Sequence, residues 1–98
     1  MTWRLSVVHG PEIGKSYSLD VQTRIGRAPE NEIYVSDTQI SRHHAVIKRQ
    51  GDSYIVSDLD STNGTFVNGK RITEPVPLRV GDSITVGPAR FVVLADKL

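Results

Sequence analysis

The sequence predicts an all-β fold, a two-sheet antiparallel β-sandwich of about ten or eleven short strands, on three observations. No window of about 11–18 residues repeats apolar side chains at helical spacing behind a capping residue. Short alternating runs rich in Val, Ile, Thr, Tyr and Phe recur along the chain instead. Gly, Pro, Asn and Asp pairs stand between those runs, as turn chemistry requires.

Taken in order, the first strand is expected at Trp3–Val8, closed by the turn residues His9, Gly10 and Pro11. Ser16–Leu19 and Arg24–Gly26 follow, then a Pro29-Glu30-Asn31 turn and a strand at Glu32–Val35. Ser36 to Arg42 is polar apart from Ile40 and has no Gly or Pro to reverse it, so a loop that long is expected to be either functional or badly ordered. Ala45–Arg49 and Tyr54–Asp58 flank a Gly51-Asp52 turn. Asp58 to Gly64 is a second hydroxyl- and amide-rich stretch, suited to recognition. Beyond it come Thr65–Val67, the Asn68-Gly69 turn, Lys70–Ile72, Pro77–Leu78, the Gly81-Asp82 turn, Ser83–Val86 and Phe91–Leu94. The 98 residues suffice for one domain, expected over residues 1–98 with its core in about 3–95.

Composition removes whole classes of chemistry. With no cysteine, thiolate catalysis, disulfides and cysteine zinc sites are excluded, and a cytoplasmic setting is expected. Twelve basic and eleven acidic residues leave a net charge of +1, with no like-charge run longer than a pair, so neither nucleic acid nor membrane is an expected partner. Gly10 to Ser16 ends in Gly-Lys-Ser but has one residue too few between its glycines for a P-loop, and no helix follows. Ser41, His44 and Asp58 lack the local motif of a hydrolase, and His9, His43 and His44 lack metal-ligand spacing. No cofactor, metal or catalytic residue is expected.

What remains is polar and sits in loops: Arg27, Ser41, Arg42, His44, Thr62, Asn63 and Asn68. Each alone is explained by a strand end, a turn hydroxyl, a buried imidazole or an Asn-Gly hairpin. Together, Ile25-Gly26-Arg27, Ser41-Arg42-His43-His44 and Asn63-Gly64-Thr65-Phe66-Val67-Asn68-Gly69 resemble, in order and separation, the signatures of forkhead-associated (FHA) domains. The resemblance covers nearly the whole chain.

That resemblance implies a non-catalytic module that recognises phosphothreonine in a protein or peptide and so mediates phosphorylation-dependent association, acting as a monomer. Phosphomotif reading by arginine is an established mode for this class. A phosphothreonine brings about −1.5 to −2 charges and three acceptor oxygens. Arg27 suits it with a planar fork, Ser41 with a hydroxyl donor and Arg42 with a second cation or a grip on peptide carbonyls. By the same resemblance Thr62 contacts the phosphate or the threonine methyl and Asn63 holds the peptide backbone. Gly26, His44, Gly64, Asn68 and Gly69 are implied to support the site structurally, His44 by joining two loops. The rival expectation is a phosphate-independent adaptor that binds through a sheet face or edge.

Overall fold

The computed structural model describes residues 2–96; Met1, Lys97 and Leu98, which the expected domain of 1–98 takes in, lie outside the described residues. Eleven strands are present: β1 (Trp3–His9), β2 (Ser16–Ser18), β3 (Gln22–Gly26), β4 (Ile33–Tyr34), β5 (Ala45–Gln50), β6 (Ser53–Asp58), β7 (Thr65–Val67), β8 (Lys70–Arg71), β9 (Val76–Pro77), β10 (Ser83–Val86) and β11 (Ala89–Ala95). They form a six-stranded sheet, β2-β1-β11-β10-β7-β8, and a five-stranded sheet, β4-β3-β5-β6-β9. The expected sandwich is therefore present, with every expected strand in its place and only the ends shifted.

Alternation builds the core. Successive strand residues point to opposite faces, so Leu5 and Val7 of β1 turn inward while Arg4 and Ser6 do not. Tyr54 and Val56 of β6, Ile84 and Val86 of β10, and Phe91 and Val93 of β11 repeat the pattern and meet in one apolar cluster. Trp3 stacks on Tyr54 with ring centroids 4.9 Å apart, joining β1 of one sheet to β6 of the other. Such a pair contributes about 0.5–1.5 kcal/mol beyond its buried area.

One pairing departs from the antiparallel rule. β3 and β4 run parallel, Ile25 beside Ile33 and Gly26 beside Tyr34. A parallel pair ordinarily needs a crossover of a dozen residues or more. Here β4 is a two-residue bridge, and a carboxylate completes the ladder: Glu32 Oε1 accepts the Arg24 backbone N–H at 2.8 Å. The Arg24 guanidinium grips the same carboxylate at 3.0 and 2.8 Å.

Register gathers the loops at one end of the sandwich. Ala45, at the start of β5, lies opposite both Ile25 near the end of β3 and Asp58 at the end of β6. In the other sheet Val86 lies opposite both Thr65 at the start of β7 and Ala89 at the start of β11. The β3–β4, β4–β5, β6–β7 and β10–β11 connections thus form a common rim.

Candidate functional site

The rim is built on backbone hydrogen bonds between loops. Arg27 N–H donates to Ser41 O at 3.0 Å and Ala28 N–H to Arg42 O at 3.1 Å. Gly26 has to be glycine, since a Cβ there would fall 2.2 Å from Arg42 O. Asn31, buried in the β3–β4 loop, donates through Nδ2 to Ala28 O at 2.7 Å and Arg42 O at 2.8 Å. The second loop is thereby clamped over the first.

His44 is fully buried and ties this pair to the β6–β7 loop. Its Nε2 lies 2.8 Å from Gly64 O, and its Nδ1 lies 3.1 Å from Ser41 N. A carbonyl only accepts and an amide N–H only donates, so the imidazole is neutral with its hydrogen on Nε2. Both ring nitrogens are occupied by backbone. Nothing remains to deprotonate Ser41, whose Oγ accepts the Thr62 N–H at 3.0 Å, so Ser41, His44 and Asp58 do not assemble as a catalytic triad.

Asp58 has a different task. Burial opposes its ionisation, but the hydroxyls of Ser61 and Thr65, each donating to Oδ1 at 2.6 Å, and Ser61 N–H, donating to Oδ2 at 3.0 Å, hold its pKa below the ordinary value. Ser61 Oγ in turn accepts Gly64 N–H at 2.9 Å. This carboxylate is the internal frame of the β6–β7 loop.

On this scaffold Arg27, Ser41, Thr62 and Asn63 come together. The half-buried Arg27 donates through Nε to Ile40 O at 3.1 Å, which pins the base of its fork. Asn63 donates through Nδ2 to Gln39 O at 2.8 Å, joining the two recognition loops from the solvent side. Arg42 is exposed beside them. Among the described residues neither Arg27 nor Arg42 has a carboxylate within ion-pair distance, so both cations are left uncompensated.

Asn68 and Gly69 are not at this rim. They form the two-residue β7–β8 turn at the other end of β7, with φ of 52° and 82°. Asn68 bonds Asp82 Oδ1 at 3.0 Å and accepts Ser83 N–H at 2.9 Å, which fixes that hairpin to β10. The Asn63-Gly64 pair, by contrast, closes a long loop, and of the two residues only Gly64 has positive φ. Sequence reasoning missed Asn31, Ser61 and Thr65; the spacing Asp58-x-x-Ser61, typical of a side chain capping its own loop, was the available signal.

The family model described as "FHA domain" matches residues 23–87, which takes in the β3–β4, β4–β5 and β6–β7 connections. The chain is 42% identical over 91 residues to the oxoglutarate dehydrogenase inhibitor of Corynebacterium jeikeium, covering 92% of this chain and 62% of that protein. It superposes with a TM-score of 0.89 at 30% identity, complete in both chains, on an FHA domain studied for phosphothreonine-dependent interactions. EmbR of Mycobacterium tuberculosis, solved in complex with a low-affinity phosphopeptide, matches with a TM-score of 0.87 and 36% identity over 95% of this chain and 24% of that one. The chain spans about three-fifths of the inhibitor's length.

Proposed function

The chain belongs to the FHA domain family, and on that premise we propose that its loop rim recognises phosphothreonine in a partner protein and performs no chemistry on it. One observation carries this reading: Arg27 and Arg42, neither with a carboxylate within ion-pair distance, stand on either side of Ser41 on loops tied together by backbone hydrogen bonds. Arg27 contributes the bidentate fork, Ser41 a hydroxyl hydrogen, which is free because its oxygen only accepts from Thr62 N–H, and Arg42 a second charge. Thr62 lines the threonine side, and Asn63, anchored through one amide hydrogen on Gln39 O, keeps a second hydrogen and Oδ1 for the peptide backbone.

Three charge-assisted hydrogen bonds gross about 5–9 kcal/mol before the cost of ordering a flexible peptide. Micromolar affinity, near −8 kcal/mol, is the consequence. The described residues work as one recognition unit, and the near-balanced charge favours a local anion over nucleic acid or an anionic membrane. The cytoplasm, where Ser/Thr phosphorylation is exchanged, is the setting we assign. Calorimetric titration with a phosphothreonine peptide and its unphosphorylated twin tests the proposal. Binding of the phosphorylated form alone, abolished in Arg27→Ala, is expected; equal binding of the two would favour a phosphate-independent adaptor.

A further inference from the structure

Beside the rim, on the outer side of the six-stranded sheet, lies a cleft of about 350 Å³ lined by His9, Thr85, Gly87, Pro88 and Arg90. Two local irregularities create it. β1 bulges at Val8, so that the register passes from Val7 opposite Phe91 directly to His9 opposite Arg90. Bulges of this kind re-aim a side chain, and this one brings an imidazole alongside a guanidinium. Thr85 faces Arg90 from the other neighbouring strand, which completes a row of three hydrogen-bond donors. The second irregularity is the approach of the β1–β2 turn to the β10–β11 turn, so close that a Cβ on Gly10 would fall 2.3 Å from Pro88 O.

The cleft adjoins the proposed phosphate site. A Cβ on Gly87 would fall 2.8 Å from Ile40 Cγ1 and 3.4 Å from Gln39 O. Ile40 O holds Arg27 Nε, and Gln39 O holds Asn63. Only the Gln39–Ile40 segment therefore separates the two places. Arg90 and His9 are exposed, and among the described residues neither has a carboxylate within ion-pair distance. The cleft on the far flank of the β6–β7 loop, about 470 Å³, differs in sign: Asp58, Asp60 and Glu74 line it against Arg71, and an anion would be repelled there.

We propose that the His9–Thr85–Arg90 cleft is a second anion subsite that takes an acidic or phosphorylated residue of the same peptide whose phosphothreonine occupies the rim. The inference rests on the proposed phosphothreonine reading. Its chemistry is a carboxylate or phosphate oxygen accepting from the Arg90 guanidinium, the His9 imidazole N–H and the Thr85 hydroxyl. Because the groups are solvent-exposed, the subsite tunes selection among ligands and does not supply the bulk of the affinity.

The test is a positional scan by calorimetry. A phosphothreonine peptide with neutral flanks is compared with versions carrying glutamate, or phosphoserine, at one flanking position at a time. Wild type is expected to bind the acidic versions about 3–10-fold more tightly at one or two positions, the factor that one or two exposed charge contacts supply. In Arg90→Gln and His9→Ala that gain disappears while the neutral-flank peptide binds as before, and Arg90→Lys keeps part of it. The glutamate and phosphoserine arms separate a carboxylate ligand from a second phosphate. A flat scan, or a gain that persists in both variants, overturns the subsite and leaves the phosphothreonine reading intact. If no phosphothreonine peptide binds at all, both fall together.

Discussion

Arg27 is fixed at its Nε by the Ile40 carbonyl, so in its proposed role it would meet a ligand with a preorganised fork and little rotamer entropy left to lose. Its truncation removes the ligand contact and one modest internal hydrogen bond, worth about 0.5–1.5 kcal/mol. Arg27→Ala is accordingly expected to lose phosphopeptide binding by more than tenfold while its melting temperature falls by only a few degrees, measured by calorimetry and thermal melting on the same preparation. Gly26 behaves in the opposite way. A methyl group there collides with the Arg42 carbonyl, so Gly26→Ala displaces the β4–β5 loop and loses both stability and binding.

Glu32 supplies a pH signature at the same scale. Hydrogen bonds from the Arg24 side chain and backbone hold its pKa down to about 2, against an ordinary 4.5. An ionised state preferred by the fold stabilises it at all pH above the unfolded value, and that contribution is lost as pH falls from about 4.5 toward about 2. Denaturant unfolding of wild type and Glu32→Gln should differ near neutral pH and converge at the acid end. A difference that is constant across the range would show that the ion pair does not set the shift.

Elements differ in how far they can be traced to sequence. Strands were legible because alternation and turn residues agree: Asn68-Gly69 requires positive φ twice, and the hairpin between β7 and β8 adopts it. Strand ends were less legible because partners fix them. β3 starts at Gln22, two residues before its apolar run, since Lys48 of β5 lies opposite. Asn68→Ala gives up the favoured left-handed residue and two bonds to the β9–β10 turn and β10, at a cost of about 1–2 kcal/mol. In a domain of this size that lowers the melting temperature by about 4–16 °C. Since this turn lies at the other end of β7 from the rim, phosphopeptide affinity below the transition should not change.

The rim was legible only in part, for a physical reason. Arg27, Ser41, Arg42, Thr62 and Asn63, the residues proposed to carry the chemistry, stand out as side-chain types in loops. The frame beneath them is a matter of closure in space: which hydroxyls reach Asp58, or which carbonyls Asn31 bridges, depends on how the loop folds back. The bulge that turns His9 toward Arg90 leaves no mark in the sequence either.

At the scale of the whole molecule, the two sheets bury an apolar cluster between them, and the loops at one end are tied to one another by hydrogen bonds through buried His44 and Asn31. Ligand binding to that end stabilises the fold as a whole, by about 2.7 kcal/mol at a peptide concentration one hundred times Kd. With a net charge of +1, long-range attraction is weak, and the association depends less steeply on salt than a nucleic-acid interface would. Competition by duplex DNA should leave phosphopeptide binding unchanged.

The measurement that tests the central claim most directly is an NMR titration of the isotope-labelled chain with a phosphothreonine peptide and its unphosphorylated twin, because it reads phosphate dependence and location together. The account predicts amide shifts concentrated at Arg27, Ser41, Thr62 and Asn63 with the phosphorylated peptide only. Equal shifts with both peptides, or shifts centred on the outer sheet residues Val46, Lys48 and Ile55 with the rim unmoved, would contradict it.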